Sequence, residues 1–465
     1  MKAKYVAAAG PVQGPRTLPD GWRWGRLGEF LSIRDRSINP ADSPSKSFQL
    51  YSVPSHATGY PEQVVGSEIG SAKQSIGHGD VLLCKINPRI NRVWKVVDHE
   101  CGELIASTEW IRFPATANIE PDYLRYLLMR DGLRNYLAMN ASGVGGSLMR
   151  VRPAVIEPIL VPIAPYTHQK RIVACIDELF AEIDDGEAAL ARARTDLTTW
   201  RKSLLKAAVT GELTADWRAA NAPGETGGEL LFQILRKRRT TWEEGQGKRR
   251  SGYVEPAPPN NTVQPTLPTG WVWASVQQLS QVVRGASPRP AGDPRFFGGT
   301  IPWITVGALT RNHSKYLTST NQFVTELGRD HSRFVPADTL LFTNSGATLG
   351  VPRITKIGGC INDGSVALLN MDEPVKSYVY YFLQTQTEKL RALNQGAAQP
   401  NLNTTIVKEI RVPLPPIEEV YEIVANIERL LDEQDACEDD IKDLKGAPDS
   451  LRQSVLAAAF CGELS

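Results

Sequence analysis

The chain predicts an α+β protein built twice over: two similar α/β globules and two long helices pairing as an antiparallel coiled coil, all related by an internal pseudo-two-fold repeat. Three observations predict this. Whole phrases recur from the first half to the second, strand-length apolar runs alternate with helical ones inside each copy, and each copy ends on a heptad pattern.

The repeats come first. "LPDGWRWGRL" (Leu18 to Leu27) returns as "LPTGWVWASV" (Leu267 to Val276), and "VPIAPYTHQKRIVACIDELFAEID" (Val161 to Asp184) returns as "VPLPPIEEVYEIVANIERLLDEQD" (Val412 to Asp435). The second alignment runs without a gap to the end, so that "AAVTGELT" at Ala207 to Thr214 matches the closing "AAFCGELS" at Ala458 to Ser465. At 465 residues the length also suggests about three domains. The expected organisation is an N-terminal tail (1–17), a first globule (18–160), a central helical spacer (161–214), a basic helix and Pro-rich tether (215–266), a second globule (267–411) and a distal helical spacer (412–465).

Inside each globule the same elements follow one another. "GDVLLCKI" from Gly79 and "ADTLLFTNS" from Ala337 are short apolar runs bounded by turn residues, which read as strands. "PDYLRYLLM" from Pro121 and "KSYVYYFLQ" from Lys376 are Tyr-rich with apolar residues at helical spacing, and a Gly-rich turn follows each, "SGVGGS" (Ser142 to Ser147) and "QGAAQPNLN" (Gln395 to Asn403).

In the spacers the inward positions are Ile172, Ile176, Leu179, Ile183, Gly186, Leu190, Ala193, Leu197, Trp200 and Leu204, against Ile423, Ile427, Leu430, Gln434, Cys437, Ile441, Leu444, Pro448, Leu451 and Val455. Their alternating steps of four and three are coiled-coil spacing. Because each helix leaves its own globule, a two-fold relation makes the pair antiparallel with a globule at each end. About 40 residues at ~1.5 Å each give a spacer of roughly 60 Å, longer than one ~34 Å turn of B-DNA. Pro448, following Gly446, predicts an interruption of the distal helix.

Composition excludes several classes. The chain is 42% hydrophobic and 22% charged with a net charge of +1, and it holds no apolar run of the ~18 residues a membrane helix needs. The opening "MKAKYVAAAG" is too short in apolar residues for a signal peptide, and six scattered cysteines without CxxC spacing argue against a zinc site or disulfide scaffold. A cytoplasmic protein is expected. Glu418 to Lys445 carries 11 Asp/Glu against 3 Lys/Arg, whereas Trp271 to Val412 carries 14 Lys/Arg against 9 Asp/Glu, so the globules rather than that helix suit a polyanion.

No P-loop, HExxH or Asn/Asp-Pro-Pro-aromatic tetrad occurs, so neither catalytic residues nor metal ligands are expected. Groups able to read DNA lie in loops. "KINPRINR" offers Lys85, Asn87, Arg89, Asn91 and Arg92; "RGASPRP" offers Arg284 and Arg289; "LTRNHSK" offers Arg311, Asn312 and Lys315; "TNSGAT" offers Asn344 and Ser345. Arginine suits guanine and asparagine adenine in the major groove, while small polar groups serve phosphate.

Taken together, the paired "LPxGWxW" motifs, the "VPIAP" and "VPLPP" lead-ins, the two helices, the "GEL" endings at Gly211 and Gly462, and "QGAAQPNLNTTIVKEIRVPLPP" (Gln395 to Pro416) resemble the specificity subunit of type I restriction-modification systems. The resemblance covers almost the whole chain. It implies two target recognition domains, each reading one half of a split site in double-stranded DNA. It further implies docking of two methyltransferase (modification) subunits that bring S-adenosylmethionine and methylate adenine, and of two restriction subunits that translocate and cleave unmodified DNA. On this reading the chain is non-catalytic and binds no cofactor itself; the alternative is a stand-alone bipartite DNA-binding regulator. One departure is visible: where the family often shows Glu-Gln, this chain has His168-Gln169 and Glu419-Val420, each copy keeping one half.

Overall fold

The computed structural model describes residues 17–31, 37–99, 102–143, 149–221, 223–244, 252–259, 265–346, 348–392 and 402–464. The expected tail and most of both Gly-rich turns lie outside these residues. The fold is α+β, with each globule a pair of small sheets and helices packed on them. By contacts the chain forms two compact units, residues 1–192 with 441–465, and residues 193–440.

In the first unit the chain opens on β1 (Arg23–Arg26), then β2 (Ser37–Ile38), β3 (Ser47–Tyr51), β4 (Glu62–Val65), β5 (Lys73–Ser75), β6 (Val81–Cys84), β7 (Val93–Lys95), β8 (Glu103–Ser107), β9 (Trp110–Phe113) and β10 (Leu160–Ile163). One sheet has the order β2-β5-β8-β3-β4 with β3 and β8 parallel; a second has the order β7-β6-β9, wholly antiparallel. The four residues of β6 are buried because it is covered on both faces. Val81 and Leu83 join the core under the Pro121–Leu128 helix, and Leu82 and Cys84 join a smaller core with Tyr51 and Trp110.

The second unit repeats this plan with β11 (Val272–Ser275), β12 (Gln281–Arg284), β13 (Phe297–Ile304), β14 (Tyr316–Leu317), β15 (Phe323–Val324), β16 (Arg333–Val335), β17 (Thr339–Thr343), β18 (Pro352–Thr355), β19 (Gly359–Ile361), β20 (Ser365–Leu369) and β21 (Arg411–Leu414). Its mixed sheet runs β15-β13-β19-β16, with β13 and β19 parallel as β3 and β8 are. Its antiparallel core β18-β17-β20 matches β7-β6-β9, extended by β12 and β14. Strand β17 again divides two cores, Leu340 and Phe342 on one side and Leu341 on the other.

Each globule is closed by its own lead-in. Strand β1 pairs β10 with Trp24 opposite Pro162, and β11 pairs β21 with Trp273 opposite Pro413. The Tyr-rich helices lock these ladders identically. Tyr123 Oη donates to the Pro162 carbonyl at 3.0 Å and Tyr378 Oη to the Pro413 carbonyl at 2.6 Å. Burial pushes both phenols up, so they stay protonated donors.

The long helices are Tyr166–Thr210 and Ile417–Asp443, the latter followed by a 3-10 turn, Leu444–Gly446, and a helix Ala447–Cys461. Pro448 occupies the first turn of that last helix, where a missing N–H costs nothing, so the interruption falls where the sequence predicts it. In the first unit Arg452 Nη2 reaches Asp184 Oδ1 and Glu187 Oε2, both at 2.5 Å, while Leu456 and Phe460 share a core with Ile172 and Ile176. In the second, Gln434 Nε2 donates to the Leu197 carbonyl at 3.3 Å, and Leu204 and Ala208 share a core with Ile423 and Ile427. In both units positions rise along one helix as they fall along the other, which makes the pairing antiparallel. Three of the positions expected to face inward, Trp200, Leu444 and Leu451, are exposed.

The repeated ending has a structural use. Gly211 and Gly462 both adopt left-handed φ values, +79° and +87°, terminating their helices. A Cβ on Gly211 would lie 2.7 Å from Pro268 Cγ, and one on Gly462 would lie 2.2 Å from Pro19 Cγ. Thus each copy's "GEL" rests on the opening motif of the other copy. The basic helix is Gly227–Glu244. It docks on the second globule through Leu230, through Gly227, whose N–H bonds the Gly270 carbonyl, and through Arg238, which bonds the Gln277 and Gln278 carbonyls. The part of the Pro-rich stretch that is described, 252–259, is held rather than free, since the Ala257 carbonyl accepts from Ser275 Oγ at 2.8 Å.

Candidate nucleic-acid interface

The "KINPRINR" loop joins β6 to β7 in the first globule, and the "TNSGAT" loop joins β17 to β18 in the second, so the duplicated hairpins present equivalent tips. In the first tip Asn87 and Asn91 adopt left-handed backbone, φ 48° and 51°, a conformation asparagine tolerates better than most residues. Asn91 Nδ2 donates to the Leu128 carbonyl at 3.0 Å, and Asn87 Oδ1 accepts from Arg89 Nε at 3.4 Å. These two asparagines shape the loop. Arg89 is exposed and Arg92 half-buried. Lys85, its Nζ bonded to the Thr108 carbonyl at 2.6 Å, lines a cleft of about 640 Å³ with Arg26, Arg112, Glu29 and Glu157.

In the second globule Asp363 gathers the "RGASPRP" loop. Arg284 Nε donates to its carbonyl at 3.1 Å, Ser287 Oγ to its Oδ1 at 2.6 Å, and Arg289 Nη2 lies 3.4 Å from its Oδ2. The loop passes so close that a Cβ on Gly285 would sit 2.0 Å from the Asn362 carbonyl oxygen, which requires glycine there. Arg289 then forms one wall of a cleft of about 560 Å³, whose other lining includes Phe297, Trp303, Asn321, Gln322 and Phe323. Arg311 joins this rim through Asn321, whose Oδ1 accepts from its Nη1 at 3.4 Å. In the segment between the "RGASPRP" loop and β13, the hydrogen bonds from Arg295 hold the Asp293 carboxyl below the usual carboxylate range.

Two predicted readers face inward instead. Lys315 Nζ bonds Glu428 Oε1 at 2.6 Å and Ser377 Oγ at 2.9 Å and lies over the Tyr381 ring, tying its loop to the Ile417–Asp443 helix. Asn344 is fully buried, its Nδ2 on the Leu402 carbonyl at 3.3 Å. Lys315 is an anchor, its ammonium engaged inside the globule, and Asn344, whose Oδ1 has no partner among the described residues, is sealed away from any base edge by burial. Asn312 is exposed but bends its own turn, its Oδ1 accepting from the Ser314 N–H at 3.2 Å, and Ser345 is half-buried beside Gly364. The cleft residues Trp303, Asn321, Gln322 and Phe323 carry no motif that singles them out. Only Asp363, in the turn "INDGS", sits in a recognisable sequence context.

Residues 268–444 match the family model described as type I restriction modification DNA specificity domain. The chain is 22% identical over 374 residues to the type I restriction enzyme HindI specificity subunit of Haemophilus influenzae, covering 76% of this chain and 80% of that one. It is also 22% identical over 364 residues to the EcoDI specificity subunit of Escherichia coli, covering 76% and 73%. The HsdS subunit from Thermoanaerobacter tengcongensis shares the fold, with a TM-score of 0.63 at 21% identity over 97% of this chain and 99% of that one. A chain solved in work on assembly and conformational transition of a type I R-M system does so at 0.65 and 20%, covering 96% and 99%. Residues 268–444 thus carry a type I restriction modification DNA specificity domain, and over about three quarters of its length the chain is similar to specificity subunits of type I restriction enzymes.

Proposed function

We propose that this chain is the DNA-reading, non-catalytic subunit of a type I restriction-modification complex, recognising a bipartite site with one globule on each half. The observation that carries this reading is the duplicated globule: a shared core of four mixed and three antiparallel strands, the same lead-in ladder and an equivalent hairpin tip occur twice in one chain. Two readers of one plan suit two half-sites, and the paired helices suit a fixed gap between them. The names of its relatives, specificity subunits of type I restriction enzymes, favour assembly with other subunits. On this reading two modification subunits supply S-adenosylmethionine and methylate adenine, and two restriction subunits cleave unmodified DNA.

Exchanging Leu267 to Arg411 for the corresponding globule of a relative with a different target tests this directly. The methylated motif is expected to change in one half and keep the other; a change in both halves would refute independent reading.

A further inference from the structure

We propose that Gln322 reads an adenine in the half-site taken by the second globule, with Phe323 against the methyl group of the paired thymine; this rests on the bipartite DNA reading above and gives it a specific base contact. Both residues line the cleft that Arg289 also lines. The backbone of Gln322 is pinned on both sides. Its carbonyl accepts from the Trp303 N–H at 2.8 Å, its N–H donates to Thr320 Oγ1 at 3.4 Å, and Thr320 Oγ1 in turn donates to the Trp303 carbonyl at 2.9 Å. Trp303 is only 5% exposed and is packed with Val324 and Cys360, and Phe323 pairs Pro302 across β13 and β15, so this wall is built on core rather than on a loose loop.

The rim's other hydrogen-bonding side chains have work already. Asn321 holds Arg311, and Arg289 leans on Asp363. The Gln322 side chain is exposed, and both ends of its amide are without a hydrogen-bond partner among the described residues. An amide supplies one donor and one acceptor side by side, the complement of adenine N6 and N7 in the major groove, while an aromatic edge suits the thymine methyl. Phe323 is 39% exposed next to it. Arg289 in the cleft and Arg311, held by Asn321, provide charge for the flanking phosphates.

The test is the methylated motif of the intact system in its host, mapped genome-wide for N6-methyladenine with the wild-type gene, Gln322→Ala and Gln322→Glu. Gln322→Ala is expected to relax one A·T position in one half-site, cutting discrimination there by roughly five- to 150-fold, and to leave the other half unchanged. Gln322→Glu, which only accepts, is expected to move that position toward cytosine. A wild-type split motif left unaltered by both variants, or methylation weakened or lost without a change at one position, would overturn the inference and spare the bipartite reading. A wild-type chain that directs no split motif would overturn both.

Discussion

Glu419→Ala is expected to destabilise the second unit by about 3–5 kcal/mol, the usual cost of breaking a buried charged pair from one side. Glu419 has no exposed surface. Its Oε1 accepts from Thr214 Oγ1 at 2.7 Å and from Arg218 Nη1 at 2.5 Å, and its Oε2 accepts from Trp271 Nε1 at 2.8 Å. Those donors come from the "GELT" ending, the segment after it and the "LPTGW" opening, so one carboxylate fastens three parts of the chain. Its loss leaves Thr214 and Trp271 as buried donors without acceptors, and Arg218, 21% exposed, without its counter-charge. Urea unfolding, with hydrogen exchange of the β11 and β21 amides reporting the second unit, measures the change. A loss below about 1 kcal/mol would show that the network contributes no more than an exposed ion pair.

A matched heptad added to the Tyr166–Thr210 and Ile417–Asp443 helices is expected to lengthen the gap between half-sites by about three base pairs. Seven residues at ~1.5 Å extend a helix by about 10 Å, against ~3.4 Å per base pair, and a whole heptad preserves the phase of the apolar seam. The methylated motif of the variant reads the gap. An unchanged gap would mean that something other than the helices sets the distance.

Much of this architecture is legible in the sequence because duplication is a strong signal. Paired Trp24 and Trp273, the heptads and Pro448 each mark an element that the structure contains. The split Glu-Gln pair also makes sense in three dimensions. Glu419 is the buried hub just described. In the other copy Gln169 is equally buried, its Oε1 accepting from the Glu120 N–H at 2.8 Å and its Nε2 donating to the Ala164 carbonyl at 2.9 Å. His168, the equivalent of Glu419, has a buried Nδ1 without a partner among the described residues.

What the sequence does not reveal is orientation. A lysine in "LTRNHSK" reads as a DNA-reading group until Glu428 and three tyrosines close around it, and an asparagine in "TNSGAT" reads as a phosphate donor until it is found buried against the Leu402 carbonyl. Conversely, Gln322 is an unremarkable glutamine in sequence, and only the pairing of β13 with β15 and the cleft beside it give it a role. The docking of each "GEL" on the other copy's opening motif is likewise a long-range contact that no local pattern encodes.

The central claim, that this chain directs a modification complex to one split DNA sequence, is tested most directly by mapping N6-methyladenine across the host genome by single-molecule sequencing, with the gene present and deleted. Loss on deletion of a single motif made of two half-sites around a fixed gap is the predicted result. A methylation map that is the same with and without the gene would contradict it.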